Sequence, residues 1–135
     1  LEAFAETLLP GAAAAGVAQF VDHHLTVPAA ESLLMIRYLD VPPPYADFYR
    51  GGLRALDAFA RATAGGPMHT LAPDKATALV QAIAAAPVPG WAGPPSPLLY
   101  FAVRADAVDV VYGTEKGFEA LGVPYMPHIP PPTPW

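Results

Sequence analysis

Cysteine is absent from this sequence of 135 residues. Disulfides, iron–sulfur ligation, c-type haem attachment and cysteine nucleophiles are therefore excluded from the chain. The compartment stays open, because many exported proteins also lack cysteine. Positive charge is scarce as well: seven Lys and Arg stand against twelve Asp and Glu, a formal net charge of −5. Arg37, Arg50, Arg54, Arg61, Lys75, Arg104 and Lys116 are scattered along the chain. No run of them neutralises several phosphates, which argues against nucleic-acid binding. Serine occurs only at Ser32 and Ser96, neither within G-x-S-x-G, and phosphate cradles of the G-x-G-x-x-G or P-loop type are missing. No apolar stretch approaches the roughly 18 residues that span a bilayer. Charged residues make up only 14% of the chain while 53% are apolar. Disordered chains show the reverse balance.

What is plentiful is alanine and proline. The 18 Pro and 11 Gly follow no collagen period, and alanine, the commonest residue, is a poor strand former. The composition predicts one all-α domain, a small irregular helical bundle of about five to six helices over residues 1–122. Residues 123–135, with six prolines, form an extended, polyproline-like tail. Leu1 is not an initiator Met and the sequence starts inside a helical pattern, so an N-terminal segment, a targeting one included, is expected to precede it.

Proline and glycine punctuate the helices. Residues 1–9 read as a helix stopped by Pro10-Gly11. A second helix over 13–25 carries Val17, Phe20, Val21, His24 and Leu25 on one stripe. Residues 31–39 read as a helix apolar nearly all round, hence buried in the core or against a partner. After Pro42-Pro43-Pro44, residues 45–63 give the clearest helix, with Tyr45, Phe48, Tyr49, Gly52, Leu53, Leu56, Phe59 and Ala60 on one face. Gly51-Gly52 in its middle marks a close crossing or a bend. Pro73 is placed at the first position of the next helix, with Ala72 as a weak N-cap. Residues 87–97 form a loop holding Trp91. Ser96 is expected as N-cap and Pro97 as first residue of a last long helix to Tyr112. Its core stripe is read as Leu98, Phe101, Ala102, Ala105, Val108 and Tyr112. Gly113 ends it, and 114–117 start one more short turn.

Chemistry-bearing residues are few. Adjacent His23 and His24 point about 100° apart on a helix and cannot jointly grip one metal. His24, on the apolar stripe, reads as a satisfied core or interface histidine. His69 and His128 fall in loop and tail, where a zinc site needs carboxylates from unrelated elements. Asp106 and Asp109 form a carboxylate pair or, as the favoured reading, a solvated acidic edge. So bare a set argues against an autonomous enzyme. In the tail, Tyr125, Met126, His128 and Trp135 alternate with prolines. Such a segment is already stiff and presents aromatic and Met side chains of the kind found at interface centres. It reads equally as a partner contact or as a strap on the protein's own surface. The apolar run Leu33–Ile36 adds to the case for a partner.

An ordered set of motifs carries a resemblance. It comprises Glu6-Thr7-Leu8-Leu9-Pro10-Gly11, Ala15-Gly16-Val17-Ala18-Gln19-Phe20-Val21-Asp22 and Tyr49-Arg50-Gly51-Gly52-Leu53-Arg54-Ala55-Leu56-Asp57. Leu71-Ala72-Pro73-Asp74, Asp109-Val110-Val111-Tyr112-Gly113 and Leu121-Gly122-Val123-Pro124 complete it. Covering nearly the whole chain, these stretches resemble gluconate 2-dehydrogenase subunit 3, the small subunit of membrane-bound dehydrogenase complexes. Ala72 stands where the family commonly has Asp, and Gly113-Thr114-Glu115 where it has a Gly-Gly-Asn type turn.

The resemblance implies a non-catalytic subunit with no cofactor or metal of its own. Its partner would be an FAD-holding oxidoreductase of the glucose-methanol-choline type, with a cytochrome c subunit often accepting the electrons. It also implies a periplasmic location, membrane-associated through partners, and a twin-arginine signal that helps export the folded partner. The residues expected at the partner interface are Tyr112, Gly113, Tyr125, Met126, Ile129 and Trp135. Two alternatives stay open: a small helical metal-dependent enzyme using His23, His69 or His128, and a freestanding export chaperone.

Overall fold

Most of the described helices begin or end at proline or glycine, as the missing N–H of one and the backbone freedom of the other favour. The structure, a computed structural model, describes residues 1–125. Met126, His128, Ile129 and Trp135 therefore lie outside the described residues. Among the described residues there are seven α-helices and no strands: α1 (Glu2–Leu8), α2 (Ala12–Ala15), α3 (Val17–Thr26), α4 (Tyr45–Ala64), α5 (Pro73–Ala85), α6 (Ser96–Tyr112) and α7 (Glu115–Ala120). Two short 3₁₀ turns, Met35–Tyr38 and Met68–Thr70, complete the inventory. The fold is the small irregular all-α bundle that the composition predicts.

α6 runs through the middle of the bundle, with α1, α2, α3, α4, α5 and α7 packed against it. Leu99, Ala102 and Val103 of α6 meet Phe4, Tyr49, Leu56 and Ile83 in one contiguous core. Removing side chains of this size from water supplies about 1.5–3 kcal/mol each. The α4–α6 crossing explains the glycine pair. A Cβ added at Gly52 would come within 2.5 Å of Leu99 Cδ1, whereas one at Gly51 would meet only Pro94 Cδ at an ordinary 3.5 Å. Gly52 is there to let α6 approach.

Four local expectations are corrected. The helix over 13–25 is interrupted at Gly16, whose φ of 88° no side-chain-bearing residue adopts cheaply. α2 and α3 are consequently separate. The Glu6 carboxylate bridges the preceding turn, accepting hydrogen bonds from the Gly11 and Ala13 N–H groups at 2.9 and 3.0 Å. Those two bonds hold the Glu6 carboxyl below the usual carboxylate range.

The helix over 31–39 does not form. Ser32, Leu34 and Ile36 are buried, Leu33 is 54% exposed, and only the Met35–Tyr38 turn is helical. Burial here has a period of two, because Leu34 is extended (φ −61°, ψ 137°). At α6, Ser96 is the first helical residue and not the N-cap. Its hydroxyl instead accepts from the Val88 N–H and donates to the Ala86 carbonyl, tying down the Trp91 loop. The fourth correction, the face of α6 that is buried, bears on function and is given below.

Candidate functional site

α6 can be laid against a core in two ways. One stripe, Leu98, Phe101, Ala105, Val108 and Tyr112, is the more apolar. The other, Leu99, Ala102, Val103, Asp106 and Ala107, holds smaller side chains and a carboxylate. The structure buries the second: Leu99, Ala102, Val103, Asp106 and Ala107 are all 0% exposed. Phe101 and Val108 face outward, 44% and 38% exposed. Neighbouring helices press close enough to α6 that small side chains suit its inner face, and Asp106 is admitted because it finds donors there.

Asp106 is neither half of a carboxylate pair nor part of a solvated edge. Asp109 is exposed, while Asp106 is enclosed. Its Oδ2 accepts the Tyr49 hydroxyl of α4 at 2.5 Å, and its Oδ1 accepts the Met35 N–H at 2.8 Å. Tyr49 is itself only 1% exposed. The Met35 bond caps the 3₁₀ turn from a helix 71 residues away. No lysine, arginine or histidine forms an ion pair with Asp106 among the described residues. Burial pushes the Asp106 carboxyl up to about 6, against the opposing pull of its two hydrogen bonds. Burial, and then the neighbouring Asp106, push the Tyr49 phenol far above its ordinary value, so it stays a donor.

Directly above lies the outer face of α6. A shallow depression of about 280 Å³ is lined there by Met35, Phe101, Arg104, Ala105, Val108 and Asp109. Leu33 and Tyr38, 54% and 62% exposed, stand on the same segment as Met35. Among the described residues, the larger apolar side chains left in water thus lie on α6, on this segment and after α7, where Leu121, Val123 and Tyr125 are also exposed.

The expected interface residues are partly placed. Tyr112 is half-buried at the end of α6, and Gly113 is exposed as its C-cap. Tyr125 is 46% exposed and its ring meets Phe118 of α7 edge-on at 5.2 Å. Tyr112 therefore continues the row begun by Phe101, Ala105 and Val108. Met126, Ile129 and Trp135 lie outside the described residues. Thr114 caps α7, its hydroxyl accepting the Gly117 N–H at 3.1 Å, so the departure from the Gly-Gly-Asn turn brings its own N-cap. The Ala72 cap of α5 makes no side-chain hydrogen bond.

His23 and His24 pack ring against ring at 4.9 Å, and His24 Nδ1 accepts the Leu33 N–H at 3.3 Å. His24 is thus a satisfied histidine, held below its ordinary pKa by partial burial and then by His23. His69 stands at the rim of a hollow of about 560 Å³ that Glu2 and Asp57 also line. Asp57 there pairs with Arg61 at 3.1 Å. Among the described residues no group of three or more His, Asp or Glu is placed to hold a metal. No described helix is long and apolar enough to cross a membrane.

With this geometry in place, comparison with protein families is decisive: the model of gluconate 2-dehydrogenase subunit 3 matches residues 1–130. The chain belongs to the gluconate 2-dehydrogenase subunit 3 family. No curated protein and no solved structure matches it. Family identity is consistent with a non-catalytic accessory subunit. The family motifs now have physical content. The Glu-Thr-Leu-Leu-Pro-Gly stretch supplies the Glu6 bridge, and the Tyr-Arg-Gly-Gly-Leu stretch supplies both the donor to Asp106 and the α6 crossing.

Proposed function

We propose that this member of the gluconate 2-dehydrogenase subunit 3 family is the small, non-catalytic subunit of a periplasmic or membrane-associated dehydrogenase complex. The catalytic partner is an FAD-dependent oxidoreductase of the glucose-methanol-choline type acting on a sugar, sugar acid or alcohol, with a cytochrome c subunit as a further member in some complexes. The chain stabilises that flavoprotein and helps its export. FAD resides in the partner, and this chain contributes surface in place of chemistry.

One observation carries the reading beyond family likeness. α6 spends a carboxylate on its inner face and keeps Phe101, Val108 and part of Tyr112 outside. Aromatic and aliphatic side chains held in water on a rigid helix are suited to docking, since exposed apolar patches mark contact sites. The proposed contact takes in the outer face of α6 with Tyr112, Gly113 and Tyr125, and includes Met126, Ile129 and Trp135 on sequence grounds.

The test is affinity purification of the tagged chain from its native host. A yellow flavoprotein with bound FAD is expected to come with it. A monodisperse monomer with no flavoprotein recovered would overturn the proposal. A complex seen only during export, and absent from the mature enzyme, would instead mark a freestanding chaperone.

A further inference from the structure

Five of the ten residues 126–135 are proline, which predicts a polyproline II helix there. That helix has three residues per turn, so every third side chain falls on one edge. One edge then holds Met126, Ile129, Pro132 and Trp135, all apolar. The two polar side chains of the segment, His128 and Thr133, fall on the other two edges. Half of these residues have no N–H to leave unpaired, so the segment can be laid on an apolar surface at low cost.

The structure shows where the segment starts. Gly122 (φ 67°) reverses the chain after α7, and the Val123 N–H donates to the Phe118 carbonyl at 3.0 Å. Tyr125 then packs edge-on against Phe118. α7 itself is seated at the C-terminal end of α6, with Gly117 against the backbone of Val111 and Tyr112. The tail therefore departs close to the end of the row formed by Phe101, Ala105, Val108 and Tyr112. The lengths match as well. The 17 residues of α6 span about 25 Å, and residues 126–135 span about 28 Å as polyproline II. Phe101 and Val108 lie about 10.5 Å apart along the helix axis, and successive side chains of the apolar edge about 9.3 Å apart. Arg104, on the lip of the depression, is exposed and makes no ion pair among the described residues. It is placed to donate to carbonyls that a polyproline helix leaves unpaired. The hollow beside Trp91 is also aromatic, but the Trp91 loop precedes α6 and lies a helix length from Tyr125.

We infer that residues 126–135 lie antiparallel along the outer face of α6, with Met126 against Val108, Ile129 in the depression beside Phe101 and Met35, and Trp135 toward the N-terminal end of the helix. Because Tyr125 anchors it, the segment meets this face at an effective concentration of about millimolar, and a weak contact suffices. The tail so placed shields Phe101 and Val108 from water in the free chain. In the complex proposed above, on which this last step alone rests, the flavoprotein takes the tail's place and meets Met126, Ile129 and Trp135 as well.

A nitroxide on Thr133→Cys, the single cysteine of that variant, locates the tail in the free, intact chain by NMR. The amide signals of Leu98 and Phe101 should broaden, independently of protein concentration. Ile129→Asp should weaken docking at least about tenfold, the value of burying such a side chain, and so restore those signals. Phe101→Glu should do the same. His128→Asp, on another edge, should leave the broadening unchanged. Unbroadened Leu98 and Phe101, broadening around Trp91 in their place, or equal release by His128→Asp and Ile129→Asp would overturn the inference. Mixing spin-labelled chains with isotope-enriched unlabelled ones covers the remaining occupant: broadening carried between chains would seat the tail on a second copy and also overturn it. Every measurement uses the free chain, so the inference can fail while the flavoprotein is still recovered, and the reverse.

Discussion

Asp106 shows how much a single side chain departs from its sequence setting. Spaced three residues from Asp109 on a helix, it reads as part of a wet acidic edge, yet it is the most enclosed charged residue described. The signal was present in weak form: Leu99, Ala102, Val103 and Asp106 follow helical spacing, and a carboxylate on such a stripe needs a donor such as Tyr49. Which tyrosine, and which backbone N–H, depend on residues 57 and 71 positions away. Tyr49→Phe should destabilise the protein by about 1–3 kcal/mol, because it leaves an acceptor buried and unpaired. Urea unfolding should show a larger loss near pH 8 than near pH 5. The ionised carboxylate depends more on the missing donor than the protonated form does.

At the scale of elements, most boundaries were legible, whereas the buried face was legible for α4 and not for α6. Pro10-Gly11, Gly65-Gly66-Pro67 and Pro73 mark helix ends through chemistry contained within a few residues. α4 was readable in both extent and face, because its aromatic and aliphatic residues all fall on one side. α6 was readable in extent alone, because both of its sides carry apolar residues and the wetter side is the more apolar. The 31–39 run failed as a helix since its apolarity on every side gave no period to follow. The α4–α6 crossing makes a paired prediction. Gly51→Ala should raise stability by about 0.5–1 kcal/mol through helix propensity. Gly52→Ala should lower it by about 1–3 kcal/mol, since Leu99 is fully enclosed and cannot yield easily. Thermal unfolding of the two variants compares them directly. Thr114→Ala should cost about 1 kcal/mol by removing the side-chain cap of α7.

At the scale of the whole molecule, the outer face of α6 separates a structural role from a docking role. The double substitution Phe101→Glu and Val108→Glu adds charge where side chains already meet water. Circular dichroism should therefore stay close to wild type, while recovery of the flavoprotein partner in affinity purification should fall at least tenfold. Retained recovery would move the contact elsewhere on the surface. The sequence by itself determined the all-helical class, the punctuation of the helices and, through its ordered motifs, the family. Those properties depend on backbone chemistry and residue order over short spans. Only the tertiary structure decided which stripe of α6 is inside, that Asp106 is buried against the 31–40 segment, and that Phe101 and Val108 are left exposed. The physical reason is that burial is settled by the shape of what packs on both sides. A helix with two usable faces, one small with a satisfiable carboxylate and one large and apolar, turns the small face toward close neighbours.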